Sequence, residues 1–446
     1  MRHALTVLAG QLAVMAFGVT DTIVAGRHSQ ASLAALSVGS AIFVSVYVSL
    51  MGGLQALLPI WAEQRGAHDW PAIGRSLRQA LYLCLLTCLL GVLVLAAPGP
   101  ILEWTEVPEA LQEEVRRYLS VLALALAPAL LFRLFSTLNQ SLGRPQFVAW
   151  LQVGSLALKV PLSIWFTFGG AGLSPQGAVG CAWATLVVNY ALLGLALWLL
   201  RTQLLYKPLQ IWQRMERPDW AQIASFARLG VPAGLAILVE VTSFTLMALF
   251  IARQGTLSAA SHQIASNLTA VLYMVPLSLA IATSARVSYW RGAQREAQAR
   301  SVVLMGFWLA VLVSCGLSAT LFIAKELLAS AYTQDPAVIA LTVTLLNWVA
   351  LYHMADAVQT VCVFVLRSYR ITVLPLVTYC ALLWGVGLAG GYALAYHGWG
   401  PWAGATPTPA PFWSASALAL VVTAGLFAAL LFWTVKRLST VAAPSR

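Results

Sequence analysis

Twelve stretches of about twenty or more mostly apolar residues follow one another along this 446-residue chain, separated by short polar loops. A helix needs about 20 apolar residues to cross the ~30 Å hydrocarbon core of a bilayer. Inside that core every backbone polar group must be satisfied by the protein itself, so only helices and closed barrels can span it. The stretches lie near 4–25, 32–60, 76–97, 118–141, 146–168, 177–200, 228–252, 258–286, 300–323, 338–366, 371–395 and 413–435. Their apolar runs are continuous rather than alternating with period 2, which excludes a barrel. Charged residues make up 9% of the chain, against about 25% in soluble domains. The expected fold is an all-α polytopic membrane protein with twelve transmembrane helices.

The net charge of +11 could suggest a nucleic-acid partner, but its distribution argues against one. With the N-terminus inside and loops assigned alternately, 19 of the 26 basic residues fall on the cytoplasmic side. Five fall outside, and Arg133 and Lys159 lie within spans. This asymmetry predicts both termini in the cytoplasm. The acidic run Glu103, Glu106, Glu109, Glu113 and Glu114 then belongs to a solvated outer loop, and 397–411 to an irregular outer loop with interfacial aromatics. All six cysteines lie in apolar spans and read as small core residues. The first apolar segment carries Asp21 and is followed by further spans, so it is expected to be retained rather than cleaved.

The longest cytoplasmic connection divides the chain into a lobe at 1–200, a linker at 201–227 and a lobe at 228–446. Weak internal similarity supports the division. Ser32, Ser40 and Arg65-Gly-Ala67 align with Ser258, Ser266 and Arg291-Gly-Ala293 at a constant offset. Leu142-Gly-Arg144 and Leu366-Arg-Ser368 occupy equivalent places later in each half. Six spans per half make both halves enter from the same side, so their pseudo-twofold axis is expected to run along the membrane normal.

Of fifteen acidic residues, only Asp21, Glu240 and Asp356 lie well inside spans. A charge at mid-membrane costs roughly 2.5–3.5 kcal/mol on insertion scales, so its retention points to an ion, a proton or a substrate. In the tenth span Tyr352 and Asp356 are spaced i, i+4, with Gln359 three residues further on, so all three share a helix face. Carboxylate, phenol and carbonyl oxygens are hard ligands and favour Na⁺ or H⁺ over transition metals. Lys159, two residues before Pro161, is too deep to snorkel easily and calls for an anion, of which Asp21 is the one available in the same half; the alternative is a lysine facing a water-filled cavity without a fixed partner. His262, Gln263 and Asn267 in the eighth span are polar candidates for a cavity wall or for interhelical contacts.

At these residues the chain resembles the multidrug and toxic compound extrusion (MATE) family, in its NorM-like branch. The resemblance covers nearly the whole chain. It is carried by Gly18-Val-Thr-Asp-Thr22, Val239-Glu-Val241, Ala259-Ala-Ser-His-Gln-Ile264, Met274-Val-Pro-Leu-Ser278, Asp356-Ala-Val-Gln359 and Leu366-Arg-Ser-Tyr369. It implies an inner-membrane antiporter with two six-helix lobes. It also implies Na⁺ binding at Tyr352, Glu240 and Asp356, with Asp21 serving protons or cations in the N-terminal lobe. One departure stands out. The family usually carries Asn where this chain has Lys159 and Ser163, so a fixed ammonium replaces a neutral ligand.

The leading expectation is therefore a monomeric secondary antiporter that exports small, often cationic organic compounds in exchange for Na⁺ or H⁺. Membrane lipid is its only other expected partner, and it needs no cofactor. The same fold acting as a flippase for a lipid-linked or anionic cargo is the alternative. Such a cavity would need several cationic side chains, whereas only Lys159 and Arg133 lie within spans. An intramembrane enzyme lacks support, because neither His262 nor His353 has an evident nucleophile partner.

Overall fold

The computed structural model describes residues 2–104, 108–170, 172–398 and 408–441. Most of the outer loop expected at 397–411 and part of the acidic loop after Pro98 lie outside the described residues. The chain is helical almost throughout, and twelve helices are long and apolar enough to cross a membrane. It forms two compact units, Met1–Gly234 and Leu235–Arg446.

The first unit contains α1 (Arg2–His28), α2 (Gln30–Gln55), a short α3 (Leu58–Gly66), α4 (Trp70–Ala96), a one-turn α5 (Gly99–Trp104), α6 (Glu109–Ser141), α7 (Gln146–Phe168) and α8 (Ala178–Thr202). Helix α9 (Trp220–Ala252) begins here and continues into the second unit. The helix starts are written locally. Ser29 and Asp69 cap α2 and α4 by accepting from Ser32 N and Ala72 N, both at 3.0 Å, which satisfies donors the helix itself cannot. The second apolar stretch is two helices rather than one: it breaks at Ala56–Leu57, and Pro59 sits in the first turn of α3, where its missing N–H costs nothing. Helix α6 is the hub, packing against α2, α4 and α8, while α1 and α8 both pack on α7.

The stretch 201–227 belongs to this first unit and is bound to it at several points. The Arg78 guanidinium forks onto Glu216, with Nε donating to Oε2 at 2.7 Å, and its Nη1 donates to the Gln210 carbonyl at 2.7 Å. Gln79 and Tyr82 donate to the carbonyls of Arg217 and Glu216. Tyr206, in a 3₁₀ turn at Leu204–Leu209, donates to Asn139 Oδ1 at 2.7 Å. Four basic residues of the stretch, Arg201, Lys207, Arg214 and Arg217, face solvent, but its polar spine is spent on α4 and α6. The short peptide is thereby ordered without a core of its own.

The second unit holds the rest of α9, α10 (Thr256–Gly292), α11 (Glu296–Tyr332), α12 (Pro336–Ser368), α13 (Val373–Tyr379) and α14 (Ala410–Val441). Asp335 caps α12 through Ala337 N at 2.9 Å, with Pro336 in the first turn. Helix α13 widens into π-helical turns over Cys380–Gly390, a stretch with three glycines. Helix α12 is the hub, packed against α10, α11 and α14. It occupies the place that α6 holds in the first unit, as the repeat predicts.

Candidate cation sites in the two units

In the first unit α7 brings Lys159 and Ser163 to α1. Lys159 Nζ lies 2.7 Å from Asp21 Oδ1, and its side chain is fully buried. The ammonium also donates to Thr185 Oγ1 at 2.7 Å and to the Cys181 carbonyl at 3.1 Å, both on α8. Ser163 Oγ donates to Asp21 Oδ1 at 3.0 Å. Three oxygens of three kinds, carboxylate, hydroxyl and carbonyl, thus surround one ammonium. Lysine has three N–H donors, and each has its acceptor.

The approach of α8 makes this nest possible. At Gly180 an added Cβ would lie 2.6 Å from the Phe166 carbonyl oxygen and from Thr167 N on α7. No side chain fits there, and the bare backbone lets α8 close down until Cys181 O reaches Lys159. The sequence offers Asp21 to Lys159 as the one mid-membrane acid of the same half, but it gives no hint of a backbone carbonyl ligand. Thr185 was equally hidden, since one Thr in an apolar span carries no signal of its own.

In the second unit Asp356 and Gln359 lie on the buried face of α12, 2% and 1% exposed. Gln359 Nε2 donates to Asp356 Oδ1 at 2.9 Å, and its Oε1 accepts from the Tyr379 hydroxyl. Glu240 on α9, partly buried, lies close enough to Asp356 for the two charges to interact. Tyr352, 4% exposed, belongs to the same electrostatic cluster, as do Tyr273, Tyr379 and Arg367. The structure therefore brings the four acid, phenol and amide residues named from sequence into one neighbourhood. It adds two further phenols and the Arg367 guanidinium, which stacks over Phe364 at 4.3 Å. Arg367, one of the 19 basic residues that loop counting puts on the cytoplasmic side, is 3% exposed at the end of α12.

Beside Tyr352 lies an aromatic wall. Phe244, Tyr352 and Trp413 meet edge to face with centroids 5.7–6.1 Å apart. They line a cavity of about 20 Å³ together with Ser243, Met247 and Leu383, enough for about one water. The polar residues of α10 are placed differently. His262 is buried, its Nε2 within 3.2 Å of Ser266 Oγ and its ring 5.7 Å from Trp413. Gln263 is exposed and donates to Asn267 at 3.1 Å.

The family model MatE matches this chain twice, over residues 7–165 and 232–393, once in each repeat. The chain belongs to the MATE family. It is 36% identical to a probable multidrug resistance protein NorM of Aromatoleum aromaticum, over 98% of this chain and 94% of that one. It is 33% identical to the multidrug resistance protein PmpM of Pseudomonas aeruginosa, over 89% of this chain and 83% of that one. Its fold is that of the eukaryotic MATE transporter AtDTX14, at TM-score 0.85 and 18% identity over 98% of this chain and 96% of that one. A MATE structure in a straight conformation superposes at TM-score 0.87, with 15% identity and the same coverages. The chain is thus a multi-pass membrane protein of the NorM-like branch and not an enzyme.

Proposed function

We propose that this MATE protein is a multidrug efflux antiporter of the cytoplasmic membrane, exporting organic compounds in exchange for Na⁺ or H⁺. Its NorM and PmpM relatives are named for multidrug resistance. The observation that supports the coupling is that Glu240 and the buried Asp356 lie close enough for their charges to act on each other. Two like charges in a poorly solvating pocket call for a cation or a proton to neutralise them. The Tyr352 phenol supplies a further hard oxygen, and no base within ion-pair distance of either acid competes for the place, among the described residues.

Cation binding and substrate release are linked through Tyr352, which serves both neighbourhoods. Its ring forms the aromatic wall with Phe244 and Trp413, and such faces attract organic cations by about 0.5–2 kcal/mol. A coupling ion that reorients the phenol changes that wall. The two lobes, 1–200 and 228–446 with the linker 201–227 between them, then alternate access around these sites, with both termini in the cytoplasm.

The test is export of a fluorescent organic cation from proteoliposomes under Na⁺ and pH gradients imposed separately. Asp356→Asn and Glu240→Gln each abolish gradient-driven export while the protein remains inserted. Normal transport by both variants would remove the coupling site. For topology, a cysteine at Glu109 reacts with a membrane-impermeant thiol reagent in intact cells; labelling only after permeabilisation reverses the orientation.

A further inference from the structure

The first unit contains a second embedded cation that the pair above does not use. Arg133, on the hub helix α6, is 6% exposed. Its Nε and Nη2 are buried without a hydrogen-bond partner. A guanidinium does not deprotonate in proteins, so the charge stays. Among the described residues no carboxylate pairs with it, and the unit's one mid-span acid, Asp21, is held by Lys159. Its electrostatic neighbour is the Tyr47 phenol, and a phenol carries no charge near neutral pH. One positive charge of this bundle is therefore left over, and a buried charge without a counter-charge costs several kcal/mol.

The guanidinium lines a cavity of about 10 Å³ with Gln11 of α1, Ser136 and Gln140 of α6, and Gln152 of α7. Pro145, in the connection between α6 and α7, closes the same cavity. The lining is mostly polar, unlike the aromatic cavity of the second unit. Gln140 Nε2 donates to Ser136 Oγ at 3.2 Å, while its Oε1 has no partner. Gln11 and Gln152 add side-chain amides to the lining from two other helices, and an amide carries two N–H donors. A space of this size takes one guest about as large as a water. A water satisfies the donors but leaves the charge; a monatomic anion of chloride size, somewhat larger than a water, does both once the lining side chains give by a few tenths of an ångström. A bulky organic carboxylate does not fit.

The repeat sharpens the contrast. The alignment of Leu142-Gly-Arg144 with Leu366-Arg-Ser368 sets Phe132, the neighbour of Arg133, opposite Asp356. At nearly the same level of the hub helix, one unit carries an acid and the other a base. We propose that Arg133, with the amides of Gln11 and Gln152, holds one small inorganic anion of chloride size in this cavity.

The full-length protein in detergent provides the test, at fixed Na⁺ concentration and ionic strength, with chloride exchanged for gluconate. Radiolabelled chloride should bind at about one site per chain, and bromide should displace it where gluconate does not. Thermal stability should rise saturably with chloride, by roughly 2–6 °C for a ligand well above its Kd. Arg133→Met keeps the bulk and removes the charge; it should lose both the binding and the chloride dependence, with no penalty in gluconate. If that variant does not fold, Arg133→Lys, with a single-point donor in place of the fork, should weaken chloride binding at least tenfold. No saturable chloride binding to the natural protein would overturn the proposal. So would undiminished binding in the Arg133 variant.

Discussion

Replacing Asp21 by Asn strips Lys159 of its counter-charge while leaving an oxygen in nearly the same place. The ammonium keeps its bonds to Thr185 Oγ1 and the Cys181 carbonyl, but these dipoles do not neutralise it. Lys159 is 0% and Asp21 13% exposed at the side chain, so water does little to rescue the charge. Breaking a buried pair from one side costs about 3–5 kcal/mol, which at about 2 °C per kcal/mol lowers Tm by roughly 6–10 °C. Lys159→Met strands Asp21 in turn, although Ser163 still donates to it at 3.0 Å, so its loss falls at the lower end. The double change removes both charges and should cost far less than the sum, a coupling energy of about 1–3 kcal/mol. The assay is thermal unfolding in detergent for the natural protein, the two single variants and the double variant, with transport measured on the same four. Additivity within about 0.5 kcal/mol, or 1 °C, would show that the two charges do not support each other, and the nest would lose its electrostatic meaning.

Tyr352→Phe should weaken the affinity for the coupling ion by less than either carboxylate change, roughly tenfold, because it removes one neutral ligand; the half-saturating Na⁺ or H⁺ for export reads this. Gly180→Ala should force α8 off α7 and lower Tm by several degrees while releasing Lys159 from Cys181 O; an unchanged Tm would mean the close approach is dispensable. The hydrogen bonds from Arg78 hold the Glu216 carboxyl below its ordinary 4.5. A depressed folded value means that the stabilisation is complete above 4.5 and fades as pH falls through the lower folded value. Glu216→Gln should therefore lower Tm by about 1–2 °C at neutral pH, since the carboxylate is partly solvated, and by progressively less as the pH falls through the folded value.

Much of this was legible because membrane insertion penalises polar residues so heavily. Twelve apolar stretches announce twelve helices, and Asp21, Lys159, Glu240 and Asp356 stand out against them. Helical spacing alone puts Tyr352, Asp356 and Gln359 on one face. Contacts made by groups with no distinctive spelling were hidden. The Cys181 carbonyl and the bare backbone at Gly180 belong to this class, as do Tyr273 and Tyr379, which look like ordinary membrane tyrosines. The burial of Arg367 was hidden for a different reason. Loop counting treats every Arg near a span end as a topological charge, whereas this one turns back along α12 and lies over Phe364. The stretch 201–227 reads as a linker because it is the longest cytoplasmic connection, yet its polar groups fasten it to Arg78 and Gln79.

The two units also differ in what neutralises their acids, and this sets how many mobile cations the transporter can couple. The Lys159 ammonium occupies the centre of an oxygen nest as a bound ion would, but it is tethered to α7 and cannot leave. A mobile cation at Asp21 would have to displace it against a like charge a few ångströms away, which in a low-dielectric interior is prohibitive. Among the described residues no base lies within ion-pair distance of Glu240 or Asp356, and the Arg367 guanidinium acts on Glu240 only from further away. The expected stoichiometry is therefore that of the second unit alone, with no cation taken up at Asp21. Lys159→Asn empties the nest and leaves a carboxylate, two hydroxyls and a carbonyl around a vacant centre, a donor set suited to Na⁺. That variant should bind one more cation than the natural protein, measured by radiolabelled Na⁺ or by proton uptake on acidification, and adding Asp21→Asn should abolish the extra one. A natural protein whose cation stoichiometry falls on Asp21→Asn would show that Asp21 already carries a mobile cation and that the ammonium does not hold its place.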